Sequence, residues 1–313
     1  MLRRFLPAPL VAALSFVLLL AALLLCFALF LPFALLKPLL PGAAARAWLT
    51  RTVLDRLGTG PWWALNHVVY RLLHAPPQAV EFEGAERLDR RRSWILICNH
   101  QSWADIPVLV ELFGRRVPFF RFFLKRQLLW VPVIGFACWA FDMPFVRRHS
   151  RQAVALDPRL AREDLEITRR ACEKYRRIPV TVVNFLEGTR FTEQKRLARG
   201  SPYRHLLRPK AAGLAFALAA MGEQFAGLID VTLGYAPHPR GPLWSFLCGQ
   251  PWRAQVRVLP LPAEWLAGDY QGDPQFRARF QDWLNGLWAR KDQELAEWKS
   301  ELTPLLRQER NES

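Results

Sequence analysis

The chain has 313 residues, 51% of them hydrophobic, and Lys plus Arg exceed Asp plus Glu by 43 to 27, for a formal net charge of +16. This apolar content excludes a disordered chain, and the positive balance implies an anionic partner: nucleic acid, an acidic membrane surface or a phosphorylated substrate. The five cysteines, Cys26, Cys98, Cys138, Cys172 and Cys248, form no C-x-x-C pair and the six histidines are scattered, so neither a disulfide framework nor a metal site is indicated, and no cofactor is implied.

Residues 5–36 carry no charge, and 11–31 are almost wholly Leu, Ala, Val and Phe. Such a run is long enough to span or deeply enter a bilayer. It exceeds the apolar region of a secretory signal, and its exit at 32–41 offers no convincing small-residue cleavage site, which favours a retained anchor. Arg3 and Arg4 precede it, whereas Lys37, Arg46, Arg51 and Arg56 follow it. The heavier basic flank on the C-terminal side places the main domain in the cytoplasm. A single crossing and a re-entrant insertion broken near Pro32 both fit.

In residues 43–75, apolar positions including Trp48, Trp62 and Trp63 alternate with Arg and Asp at helical spacing, interrupted at Gly58-Thr59-Gly60-Pro61. A pair of amphipathic membrane-surface helices is expected, the alternative being an ordinary helix packed on the globular part. From Ala79 onward, short apolar strands are predicted over 80–83, 94–98, 117–119, 180–186, 227–233 and 254–259, with helical patterns between most of them. This alternation predicts an α/β or α+β domain, a sheet covered by helices. Asp273-Pro274 opens a last helix of up to about 30 residues, with a frayed tail at 307–313. The expected division is an anchor over 1–40, surface helices over 41–78, the α/β domain over 79–262 and a helical extension over 263–313.

The residues that carry chemistry lie at strand exits. Residues 93–98 read as a buried strand, and Asn99-His100-Gln101-Ser102-Trp103-Ala104-Asp105 follows it directly. On one continuous helix His100 and Asp105 would point about 140° apart. With His100 in the turn and Asp105 in the first helical turn, the carboxylate can reach one imidazole nitrogen and leave the other to take a proton. Ser102 to Asp105 also matches a helix capping box. Pro107 disfavours a helix start at Ser102, whereas Asp105 as N-cap puts the proline in the first turn. Catalysis and capping therefore stay open together on spacing alone. Cys98 is the local thiol that could serve as a nucleophile, but strand alternation directs it to the core.

Phe185-Leu186-Glu187-Gly188-Thr189-Arg190 leaves a second apolar strand. Its glycine permits close backbone approach, Arg190 offers a fork of donors to a phosphate, and Glu187 can orient that arginine or bind a hydroxyl; a surface Glu–Arg pair on a turn is the bland alternative. Lys125-Arg126 and Phe145-Val146-Arg147-Arg148 form a basic stretch among Trp130, Phe136 and Trp139. No nucleic-acid motif organises it, and a bilayer anchor explains the same composition, so no nucleic-acid partner is expected.

Taken in order, Asn99-His100-(four residues)-Asp105, Phe145-Val146-Arg147, Phe185-Leu186-Glu187-Gly188-Thr189-Arg190 and Leu207-Arg208-Pro209-Lys210-Ala211-Ala212-Gly213 resemble the blocks of the glycerolipid acyltransferases of the lysophosphatidic acid acyltransferase family. The resemblance covers about residues 80–240. Residues 187–213 look like the branch containing bacterial YihG-type proteins and eukaryotic lysocardiolipin acyltransferases. The resemblance implies a mixed α/β sheet covered by helices and a membrane-bound O-acyltransferase. His100 would be the general base on the acceptor hydroxyl and Asp105 its orienting partner, with direct attack on a fatty acyl thioester. Arg147, Glu187, Gly188, Thr189 and Arg190 match blocks associated with the acceptor glycerol phosphate, Lys125 matches a lysine near the phosphate, and Lys210 is a weaker candidate. The implied partners are a lysophospholipid acceptor, an acyl-CoA or acyl carrier protein donor, and a bilayer with anionic lipids. The implied acceptor is 1-acylglycerol 3-phosphate, with another lysophospholipid or glycerol 3-phosphate as alternatives; a non-catalytic, membrane-tethered lipid- or nucleic-acid-binding protein is the reading from another class. Two departures stand out. Leu186 replaces the commoner proline, and a longer basic insertion at 194–205 precedes the fourth block, which bears on acceptor identity.

Overall fold

The computed structural model describes residues 3, 5–77, 79–143, 145–146, 157, 159–160, 166, 170, 172, 175, 178–266 and 268–311. Helix α1 (Ala8–Leu36) is, among the described residues, the one helix long and apolar enough to cross a membrane. Its buried stripe of Val11, Ser15, Ala22, Cys26, Phe30 and Ala34 turns inward, while Phe16, Val17, Leu20, Leu24, Leu25 and Leu29 face outward and exposed. Of the two anchor readings, the break near Pro32 does not occur: Leu and Ala on both sides carry α1 past the single missing N–H, and the chain turns instead at Leu40.

Helix α2 (Gly42–Leu49) passes through a wide π turn at Thr50–Leu54 into α3 (Asp55–Leu73). The expected interruption at 58–61 does not occur. Gly58 serves packing rather than a turn: a Cβ there would stand 2.6 Å from the Phe141 ring, so only glycine lets the helix lie so close. Trp62 packs on the core and Trp63 stacks on His67 at 5.0 Å, so these two cover the globular part rather than face outward; Trp48 is 61% exposed.

The domain follows as β1 (Ala79–Glu83), β2 (Ser93–Cys98), α4 (Asp105–Phe113), β3 (Phe120–Phe122), β4 (Leu124–Lys125), α5 (Ile134–Ala140), β5 (Phe145–Val146), β6 (Thr181–Phe185), α6 (Glu193–Ala198), α7 (Ala211–Met221), β7 (Phe225–Tyr235), α8 (Pro242–Leu247), β8 (Trp252–Leu259) and α9 (Pro274–Asn311). The main sheet has the order β1-β8-β7-β2-β6-β3, and β4 and β5 form a small parallel pair of their own. Strands β7, β2, β6 and β3 run parallel; β8 is antiparallel to β7 and β1 parallel to β8, so the sheet is mixed. The third predicted strand is displaced from 117–119 to Phe120–Phe122. Pro118 has no N–H to pair, and its carbonyl instead accepts from the Thr181 hydroxyl.

Strand β2 is central and buried throughout. Trp94, Leu96 and Cys98 enter one core with α4 and α8, while Ile95 and Ile97 enter a second core with α7 and α9. Burial on both faces explains why its sequence is a continuous apolar run rather than an alternating one. Asp273 caps α9 by accepting the amides of Gln275 and Phe276 at 2.8 and 3.0 Å, and the helix runs 38 residues to Asn311, well past the expected 30 and through most of the tail expected to fray.

Helix α9 also buries a charge that sequence reading did not single out. Lys291 is 0% exposed; its Nζ lies 2.5 Å from Asp230 Oδ1 on β7 and donates to the Val231 carbonyl at 2.6 Å. Lys291→Met leaves Asp230 buried without its counter-charge and is expected to cost about 3–5 kcal/mol. Chemical denaturation checks this, with Lys291→Met/Asp230→Leu expected to recover most of the loss; a single variant as stable as the wild type would show that the pair holds nothing.

Candidate active site

Parallel strands β2 and β6 pair Cys98 with Phe185, so their exits lie side by side and bring His100 next to Glu187. The two loops are tied directly. The His100 amide donates to Glu187 Oε1 at 2.9 Å, and the Phe191 amide donates to the His100 carbonyl at 2.7 Å. Glu187 Oε2 accepts the Leu207 amide at 2.9 Å, and the Lys210 amide donates to the Leu186 carbonyl at 2.8 Å. One buried carboxylate thus holds three separate stretches in register: 99–105, 186–191 and 207–210. Burial pushes the Glu187 carboxyl up to about 8, against these two amides, which favour its ionised form. The expectation that Glu187 orients Arg190 or binds a hydroxyl gives way to this role, since both oxygens are occupied by backbone. That such a contact bridges 87 residues put it beyond any periodicity argument.

Within the first loop, His100 Nδ1 lies 2.8 Å from Asp105 Oδ2. Oδ2 also accepts the amides of Gln101 at 2.8 Å and Ser102 at 3.0 Å, and Oδ1 accepts the Tyr235 hydroxyl at 2.8 Å. Four donors on a fully buried carboxylate fix its direction. With Nδ1–H given to Asp105, the lone pair rests on Nε2, in a ring that stacks on Phe185 at 4.1 Å and remains 17% exposed.

The two readings of Asp105 resolve in detail. The residue is the first of α4, behind Ala104 as N-cap, and is not the cap itself. Half of the capping box forms, the Ser102 amide to Asp105, whereas Ser102 Oγ accepts from Ala104. Holding the turn and holding His100 fall to the same oxygen, because the second is taken by β7. Asn99 completes the clamp: its side-chain amide accepts from the Leu233 N–H at 2.8 Å and donates to the Leu233 carbonyl at 2.9 Å, imitating a strand partner. Cys98 is 0% exposed and burial drives its thiol well above the usual range, so it belongs to the core.

Gly188 has φ +67°, so the turn needs glycine at this point, and Lys210 Nζ lies 3.2 Å from where a Cβ would stand. Arg190 lies over the Trp103 ring at 4.9 Å, and Lys195 donates to Thr189 Oγ1 at 3.1 Å and to the Arg190 carbonyl at 2.9 Å. The cations Arg190, Lys195 and Lys210 therefore surround the 188–190 turn beside His100. Among the sequence candidates, His100, Asp105, Glu187, Gly188, Thr189, Arg190 and Lys210 come together. Lys125 ends β4, with its side chain outside what the structure describes, and Arg147 lies outside the described residues. Tyr235, Trp103 and Lys195 were missed. The available signal for Tyr235 was its place two residues past the apolar strand expected over 227–233.

The profile of the Acyltransferase family matches residues 79–235, from the start of β1 to the end of β7. Similar curated proteins include the 1-acyl-sn-glycerol-3-phosphate acyltransferase delta of Bos taurus, 26% identical over 242 residues (74% of this chain and 57% of the relative), and that of Homo sapiens, 28% identical over 209 residues (63% and 51%). An uncharacterized acyltransferase of Saccharomyces cerevisiae is 27% identical over 241 residues, 65% of this chain and 58% of its own length. The chain thus spans somewhat more than half the length of these relatives. A crystal structure of the 1-acyl-sn-glycerophosphate acyltransferase PlsC of Thermotoga maritima aligns over 88% of this chain and 96% of that one, with a TM-score of 0.47 and 18% identity. With the matched segment covering half of the sequence and containing both strand-exit loops, this chain belongs to the Acyltransferase family.

Proposed function

We propose that the protein moves a fatty acyl group from a thioester, acyl-CoA or acyl carrier protein, to the free hydroxyl of 1-acylglycerol 3-phosphate, giving phosphatidic acid. The observation that carries this reading is a histidine with one nitrogen bonded to a buried carboxylate and the other basic, beside a turn ringed by cations. The relatives named 1-acyl-sn-glycerol-3-phosphate acyltransferases supply the acceptor.

In this mechanism His100 Nε2 takes the acceptor hydroxyl proton as the oxygen attacks the thioester carbonyl. The tetrahedral adduct collapses with cleavage of the C–S bond, and the imidazolium returns its proton to the departing thiolate. No covalent acyl-enzyme forms. Asp105 stabilises the imidazolium, and the acceptor phosphate lies by Thr189, Arg190 and Lys210, with Lys125 and Arg147 assigned to the same phosphate on the family blocks. Helix α1 anchors the chain with its outward apolar face in the bilayer, the domain facing the cytoplasm of a bacterial-type inner membrane. The net positive charge then meets anionic lipids and the phosphorylated acceptor alike.

The test is a panel of acceptors, 1-acylglycerol 3-phosphate, other lysophospholipids and glycerol 3-phosphate, offered with a radiolabelled acyl thioester to the full chain in detergent. Highest kcat/KM for 1-acylglycerol 3-phosphate is the expected outcome. Preference for another member reassigns the acceptor, and an untouched thioester together with salt-sensitive nucleic-acid binding overturns the enzymatic reading. Arg190→Ala is expected to raise the KM of phosphorylated acceptors about tenfold, the loss of one charge-assisted bond, with the donor KM unchanged; an unaltered acceptor KM removes Arg190 from the phosphate site.

A further inference from the structure

Asp105 draws its donors from two directions. The three on Oδ2, His100 Nδ1 and the amides of Gln101 and Ser102, belong to its own loop. Oδ1 receives the hydroxyl of Tyr235, the last residue of β7 and 130 positions along the chain. Bonds from one loop to one oxygen leave the carboxylate able to swing about that oxygen; a donor anchored elsewhere stops the swing. Tyr235 is well placed to do so. Its ring is 7% exposed within the core shared by Trp252, Phe246 and Val108, and two residues before it Leu233 is gripped by both ends of the Asn99 amide.

We propose that Tyr235 is a positioning residue of the His100–Asp105 pair: its hydroxyl fixes the plane of the Asp105 carboxylate, so that the Nδ1–H of His100 meets Oδ2 and the lone pair stays on Nε2. Strand β7 thereby becomes the gauge against which the loop after β2 is set, with Asn99 fixing where the loop starts and Tyr235 fixing where its carboxylate points. The phenol suits this task. Burial keeps the hydroxyl protonated far above its ordinary range, so it remains a donor toward the carboxylate at any pH in which the protein works. Phenylalanine would fill the same space with no donor.

The consequence for activity rests on the acyl-transfer reading, whereas the tautomer of His100 does not, and two readouts separate them. The full chain is prepared in detergent with 15N-labelled histidine, as wild type, His100→Ala and Tyr235→Phe. The His100 side-chain resonances are the ones missing in His100→Ala, and the other five histidines report the fold. In Tyr235→Phe the His100 nitrogens are expected to move away from the Nδ1-protonated pattern while the others stay in place. Its kcat is expected to fall about 10–100-fold with the KM of thioester and acceptor unchanged. Resonances of His100 identical to wild type, or a change confined to KM, would overturn the positioning role. Undiminished acyl transfer by His100→Ala would instead overturn the base assignment, leaving the nitrogen shifts to judge Tyr235 by themselves.

Discussion

His100→Ala is expected to lower acyl transfer by about 10²–10⁴-fold, the share that a positioned general base supplies, with KM for both substrates little changed. The size follows from the role proposed for the imidazole, whose Nε2 takes the proton, while Asp105 is buried behind it with both oxygens engaged and cannot take over. The fold should survive. The His100 ring is partly exposed and stacks on Phe185, but the backbone amide and carbonyl that bind Glu187 and Phe191 are kept by alanine. A steady-state assay beside a thermal melt checks both halves, and turnover within twofold of wild type would make His100 a structural residue.

Asp105→Asn is expected to reduce kcat by a similar factor while leaving the loop nearly intact. Asparagine keeps one acceptor oxygen, which can serve the amides of Gln101 and Ser102, and turns its NH2 to the Tyr235 hydroxyl, which then accepts. What disappears is the negative charge that, in the proposed mechanism, stabilises the imidazolium. Asp105→Ala removes the acceptor of all four donors, and the buried ones among them cost about 1–3 kcal/mol each when left unpaired, so it should also unfold the turn. The contrast decides between the two roles that spacing left open. Reduced kcat with an unshifted melting temperature in Asp105→Asn marks the charge as chemical, whereas full activity would leave Asp105 only a builder of the turn.

Much of this site was legible because parallel strand exits converge. The apolar runs before Asn99 and before Glu187 announced two buried strands, and neighbouring buried strands of such a layered sheet bring their exits to one edge. The 100–105 spacing restricted His100 and Asp105 to a turn followed by a helix start, as found. What sequence could not supply was the partner of each atom. Glu187 was read with Arg190, three positions away, yet it binds backbone across 87 and 20 positions, while Arg190 stacks on Trp103. Local spacing ranks near neighbours first, and only the register of β2 with β6 reveals the distant ones. Gly58 and Pro61 misled for a related reason: they are turn residues in isolation, but close packing against Phe141 claims the glycine. Lys291 inside the long α9 could not be told from a surface lysine until its contact with Asp230 was seen.

In the proposed reaction the acceptor hydroxyl attacks the thioester directly, with His100 as base. This is tested most directly by mixing the full chain in detergent with a labelled acyl thioester, with and without 1-acylglycerol 3-phosphate, and following product, free thiol and intact protein mass through one turnover. Thiol is expected to be released in step with phosphatidic acid, only when acceptor is present, with protein of unchanged mass. Thiol released in a burst without acceptor, with the acyl group retained on the protein, would contradict direct attack.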